Sequence, residues 1–203
     1  MLDSFAKEKS DFLGKKDKSN KGSIDKEIVK LIKEINSKNE YYTTSSCAGR
    51  IVLLEMKSKR KNECDWIFAK HDKVNFREIS NALNKYTIND NNKKINDKNK
   101  KNNYEILFRQ QPLIFHIACK DLEAAKKLLE LSRKIFRRAG IIAITERKVT
   151  IEIIGSEHLE TIIADRNFVA DEKYVKQVIK YSNRNFVENK KKTNKFLRLV
   201  KEL

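Results

Sequence analysis

Glycine is scarce in this chain. Gly14, Gly22, Gly49, Gly140 and Gly155 are the five in 203 residues, and no two stand close enough for a G-x-G-x-x-G turn or a phosphate-binding P-loop. A dinucleotide-type glycine turn is therefore excluded. Cysteine is as thin. Cys47, Cys64 and Cys119 are an odd, widely spaced set with neither a disulfide framework nor C-x-x-C metal spacing. No His-x-x-x-His pair or Cys/His cluster occurs, so no metal is expected, and the paired carboxylates of a hydrolase are missing too. No run approaches the ~20 apolar residues that span a bilayer. The first ten residues scatter charge where a secretory signal would be apolar. A cytoplasmic protein with no membrane partner is expected.

Charge is plentiful and one-sided. The net charge is +17 and the pI about 9.7, which argues for a polyanionic partner, nucleic acid first. Apolar residues make up 39% of the chain, low for a compact domain, but they come in patterned runs that predict a real core. Helical spacing predicts helices over 4–12, from the N-cap Ser23 to about Asn36, over 75–86, from the N-cap Asp121 to a stop at Gly140, and from the N-cap Asp171 onward. β-Branched and aromatic alternation predicts strands over 40–45, 50–57, 65–70, 104–109, 113–120, 141–145, 148–154 and 159–164. Residues 87–103 are low-complexity Asn and Lys, a surface insertion that cannot offset its ordering entropy. Strands outnumber crossovers. The prediction is one domain over 1–203 of mixed α/β (α+β) class, with a largely antiparallel or mixed sheet, three to four packed helices, a basic N-terminal lead-in and the insertion at 87–103.

The polar run Tyr42-Thr43-Thr44-Ser45-Ser46-Cys47-Ala48-Gly49-Arg50 stands between an aromatic pair and the apolar Ile51-Val52-Leu53-Leu54. A strand turning through small polar residues into another strand gathers hydroxyls, backbone N–H groups and one guanidinium at a corner, an inventory suited to an anionic or zwitterionic group. Trp66 is the sole tryptophan, either a core aromatic or a platform for a planar base. Alternation puts Trp66, Phe68 and Lys70 on one strand face and Ile67, Ala69 and His71 on the other. His71 ends its strand, where a turn could aim it at a ligand. His116 sits mid-strand among Ile114, Phe115 and Ile117, a setting that favours a neutral donor or acceptor.

These segments together resemble the tRNA wybutosine-synthesizing protein 3 family. The likeness rests on Asp17-Lys18-Ser19 with Lys21-Gly22-Ser23 and Asp25, on the run from Tyr42 to Ile51, on Trp66 followed by His71, on Pro112-Leu113-Ile114-Phe115-His116-Ile117, and on Asn183, Phe186 and Asn189. It covers nearly the whole chain. The resemblance implies an S-adenosylmethionine-dependent methyltransferase that methylates N4 of the wyosine-type tricyclic base next to the anticodon of tRNA-Phe. It also implies a fold unlike Rossmann-type methyltransferases, in keeping with the missing glycine turn. With that donor, Arg50 is expected to pair the methionine carboxylate, Ser45 and Ser46 to bond remaining polar atoms, and Gly49 to let the backbone approach. Trp66 would stack the tricycle or the adenine, and His71, His116 and Ser46 are the candidate catalytic groups. Cys47 as a nucleophile is unnecessary. Lys15, Lys16, Lys18 and Lys21, with the basic C-terminal helix, would hold tRNA phosphates. The contrasting reading is an RNA-binding module without catalysis, in which the net charge alone accounts for function.

Overall fold

The computed structural model describes residues 4–15, 22–56, 64–89, 105–165 and 168–203. Of the expected lysine set only Lys15 falls inside, exposed just after the first helix; Lys16, Lys18 and Lys21 lie outside, as does the expected insertion from residue 90 onward. The order of elements is α1 (Ser4–Leu13), α2 (Val29–Ser37), β1 (Tyr41–Cys47), β2 (Arg50–Met56), β3 (Cys64–Lys70), α3 (Phe76–Asn89), β4 (Glu105–Gln111), β5 (Ile114–Cys119), α4 (Leu122–Arg133), β6 (Arg138–Ile144), β7 (Val149–Ile154), β8 (Leu159–Asp165) and α5 (Glu172–Lys201). All eight predicted strands are present and every pairing between them is antiparallel, as a non-Rossmann α+β fold requires. Among the described residues five helices appear rather than three to four, because the short lead-in helix α1 packs as well.

Two compact units divide the chain. The first holds Met1–Ala48, Pro112–Ser156 and Glu188–Leu203, and the second holds Gly49–Gln111 and Glu157–Val187. The first unit is built on a sheet of order β1-β5-β7-β6. Alternate residues Phe115, Ile117, Cys119, Ile151 and Ile153 turn to one face and join Leu31, Ile35, Leu128 and Phe196 from α2, α4 and α5 in a buried core. Asp121 caps α4 as predicted, accepting from the Ala124 N–H at 2.8 Å. On the opposite face α1 lays Phe5 and Phe12 against the Tyr42 ring, both at 5.4 Å between centroids, above Ala118. Glu8 of α1 accepts from the Tyr42 hydroxyl at 3.0 Å and pairs with Lys148.

The second unit repeats the plan with order β3-β2-β4-β8. Ile51, Leu53, Ile106 and Phe108 face Ile79 of α3 and Val175, Val178 and Ile179 of α5. The opposite face carries Val52, Leu54 and Leu107, with Met56 against them. Asn75 and Glu78 form a reciprocal capping box at the start of α3: the Glu78 N–H donates to Asn75 Oδ1 at 3.0 Å and the Asn75 N–H to Glu78 Oε2 at 2.9 Å. Asp171 caps α5 through the Tyr174 N–H at 2.7 Å.

Two boundaries differ from the sequence reading. Helix α2 starts at Val29, not after Ser23, since Asp25 is diverted: it is buried, and its carboxylate takes the Ala48 N–H at 2.8 Å while its carbonyl takes the Ile28 N–H. Helix α4 ends at Arg133, so Gly140 is no helix stop; it stands within β6, opposite Glu152.

Candidate functional site

The polar run from Tyr42 to Arg50 spans the end of β1, a turn and the start of β2. Gly49 in that turn has φ of 97°, which L side chains rarely adopt. In β1 the alternation is broken. Thr43 pairs with Ile117 and Ser45 with His116, so Thr44 is a bulged residue with no partner of its own. The Thr44 hydroxyl donates to the His116 carbonyl at 3.3 Å. The extra residue reverses the phase beyond it. Ser45 turns to the face opposite the helical core, and Ser46, across from Phe115, turns to the core side. The two serines expected to act together are therefore on opposite faces of the sheet.

In the second unit a bulge has the same effect on β3. Leu53 pairs with Phe68 and Leu54 with Trp66, leaving Ile67 as the extra residue. Phe68 belongs to the face covered by α3, and Trp66 to the face of Val52 and Leu54. The simple alternation that grouped Trp66 with Phe68 and Lys70 is corrected by this bulge, which also puts Ala69, opposite Val52, on the Trp66 face. Lys70 is on the α3 side, where it pairs with Glu78 at 2.6 Å. That pairing, with the Asn75 N–H bond, holds the Glu78 carboxyl below its usual range.

Arg50 opens β2 on the Trp66 face. Its guanidinium carbon lies 4.7 Å from the centre of the indole ring. Its Nε donates to Oε1 of Gln111, the residue directly opposite it on β4. A plane and one donor are thus fixed, and the terminal nitrogens have no partner among the described residues. Trp66 is 51% exposed, with one ring face under Arg50. Its indole also walls an open groove of about 420 Å³ along the β3 edge, with Ile67, Phe68, Asn81, Lys85 and Tyr86. His71 stands at a bend just past β3, half-buried, with partners of its own.

His116 is in the first unit, and it is not buried as the apolar flanks suggested; its side chain and that of Glu152 are 29% and 30% exposed. Nε2 lies 2.9 Å from Glu152 Oε2. The register makes a row across the four strands: Ser45, His116, Glu152 and Gly140 are successive partners. The structure thus brings Arg50 to Trp66 in one unit and Ser45 to His116 in the other.

Sequence reasoning missed Gln111 and Glu152. Neither carries a local motif. Glu152 is the one charged residue in the apolar alternation Val149-Thr150-Ile151-Glu152-Ile153-Ile154, a signal for a polar partner, but only the β5–β7 register says which.

The chain matches the family described as Methyltransferase TYW3 over residues 2–202. It is 30% identical over 200 residues to the tRNA wybutosine-synthesizing protein 3 homolog of Danio rerio, covering 96% of this chain and 73% of the relative. It is 35% identical over 167 residues to the tRNA(Phe) 7-((3-amino-3-carboxypropyl)-4-demethylwyosine(37)-N(4))-methyltransferase of Methanocaldococcus jannaschii, covering 80% and 78%. Among solved structures, the PH1069 protein from Pyrococcus horikoshii superposes with a TM-score of 0.75 at 27% identity, covering 89% of this chain and 87% of that one. An antiparallel two-sheet fold without a glycine turn, matched end to end by one family, leads to a single assignment: the chain belongs to the TYW3 family of methyltransferases.

Proposed function

We propose that this chain transfers a methyl group from S-adenosylmethionine to N4 of a 4-demethylwyosine-type tricyclic base next to the anticodon of tRNA-Phe. The match to the TYW3 family across residues 2–202 carries the reading, and the named activity of the Methanocaldococcus relative supplies the substrate. The donor supplies a methyl group on a positively charged sulfur, already activated toward displacement. The chain's own tasks are alignment and control of a proton.

Arg50 fits an amino-acid carboxylate. Its plane rests on Trp66 and Nε is committed to Gln111, which leaves the terminal nitrogens for a carboxylate fork. The remaining face of Trp66 and the groove beside it suit a planar ring. Of the two candidate histidines, His116 is the better proton acceptor, since its Nδ1 has no partner among the described residues whereas His71 is engaged. Exposed cations of α5 (Lys173, Lys176, Lys180 and Arg184) support binding of RNA phosphates, and the protein works in the cytoplasm.

The test is the nucleoside composition of the anticodon loop. In a strain lacking this gene the wyosine precursor short of one methyl accumulates, and the purified protein with S-adenosylmethionine restores the missing mass. A fully methylated base in the deletion strain overturns the reading.

A further inference from the structure

Among the described residues nothing requires glycine at position 140. Its backbone is not left-handed, for the positive-φ glycines are Gly22 and Gly49. A Cβ built on it meets no atom within 4 Å. The bulge of β6 falls at Ile142, between Ile141 and Ala143, and not at the glycine. A strand glycine without these causes marks a place where something else approaches the backbone closely.

What surrounds it is chemically specific. Gly140 ends the row Ser45, His116, Glu152, Gly140 on the sheet face away from the helical core. The next row toward α1 is Tyr42, Ala118, Thr150 and Ala143; α1 buries the first two, and the small Thr150 and Ala143 lie beyond it. The row on the other side ends at the exposed Arg138, opposite Ile154. Beyond α1, Thr150, Ala143 and Gly140 make a low floor, and the His116–Glu152 pair stands at its edge, half-exposed. With Nε2 donating to Glu152, His116 presents the lone pair of Nδ1, and no described residue takes it up.

The geometry points to this floor as the seat of a planar, N–H-bearing heteroaromatic base, with His116 as the group that takes its proton. The inference rests on the reading proposed above and assigns the acceptor's place within it. As the nitrogen–methyl bond forms and the carbon–sulfur bond breaks, sulfur leaves with the electron pair. The nitrogen's proton passes to Nδ1 of His116, and the imidazolium is held by Glu152. His116 is then a catalytic residue and Glu152 a positioning residue.

The experiment uses the full-length protein and two anticodon stem-loops, one carrying the demethylated tricycle and one carrying guanosine. Wild type is expected to prefer the first by about tenfold or more. Gly140→Leu, which has room to fold, is expected to erase that preference, with Gly140→Ala between the two. The melting temperature and the affinity for the guanosine loop stay at wild-type values. His116→Gln is expected to slow methyl transfer about a hundredfold while leaving tricycle affinity in place. Glu152→Gln is expected to lower kcat while leaving tricycle affinity in place, and Glu152→Asp to recover part of the rate. A wild-type preference surviving in Gly140→Leu overturns the seat. An unchanged rate in His116→Gln overturns the proton transfer. If wild type itself neither prefers nor methylates the tricycle, the proposed function fails and this inference falls with it.

Discussion

Arg50 commits Nε to Gln111 and one flat side to Trp66. Lysine at that position would lose the fork, the plane and the fixed direction together. Charge-assisted hydrogen bonds contribute about 1.5–3 kcal/mol each. Arg50→Ala should therefore weaken S-adenosylmethionine binding by roughly ten- to a hundredfold in calorimetry without RNA, and leave stem-loop affinity within about twofold. The opposite pattern, RNA affinity lost and donor affinity intact, would reassign Arg50 to the amino-carboxypropyl arm named in the Methanocaldococcus relative's substrate. The candidates themselves were legible in the sequence: a lone tryptophan, an arginine closing a hydroxyl run, a histidine in a strand. Their companions were not. Ser45 meets His116, and Trp66 meets Arg50, only because one extra residue in each strand shifts the phase, and no propensity marks Thr44 or Ile67 as that residue.

Helix ends show where local chemistry suffices. Asp121 and Asp171 cap their helices as their positions foretell, and Asn75, read as the first residue of a helix, caps α3 in the same way. Asn75→Ala should cost about 1 kcal/mol of stability, read as a lower urea midpoint with unchanged slope. Ser23 fails as a cap because Asp25, two residues on, has a tertiary use that outweighs starting the helix there. At α1 the decisive contact is also tertiary. The hydrogen bond from Lys148 holds the Glu8 carboxyl below its ordinary range, against the opposing effect of burial, with a further bond from Tyr42. Burial alone would lower Lys148, but its bonds to Glu8 and Tyr42 win and raise it. A depressed carboxylate adds stability above its unfolded pKa and loses it as pH falls through the folded value. Protection of the α1 amides should fall selectively as pH drops below the ordinary carboxylate range, and Lys148→Met should abolish that dependence. Uniform protection of α1 across the acid range would contradict it.

For the molecule as a whole, the charge of +17 predicts a partner more surely than a reaction. Phosphate contacts announce themselves as a salt slope, close to one unit of log affinity per log salt for each cation engaged. Lys180→Gln with Arg184→Gln should flatten the slope of tRNA binding by about two units and leave the turnover of bound RNA unchanged. An unaltered slope would remove this part of α5 from the RNA surface. The fold class was readable at this scale, from eight strand patterns and the missing glycine turn. The grouping into two compact units was not. Each unit is assembled from stretches far apart in sequence, and neither composition nor a linker marks the point where the chain passes between them.

The bulge at Thr44 has an evolutionary corollary. Since the count of residues in β1, and not their identity, decides which hydroxyl stands beside His116, exchanging serine for threonine in this run is a mild change. Inserting a single residue after Thr44 is not: with the one bulge kept, the newcomer would stand opposite His116, Ser45 and Cys47 would be carried to the core side of the sheet, and Ser46 would come round in their stead. Length, rather than spelling, is the quantity that selection must guard there.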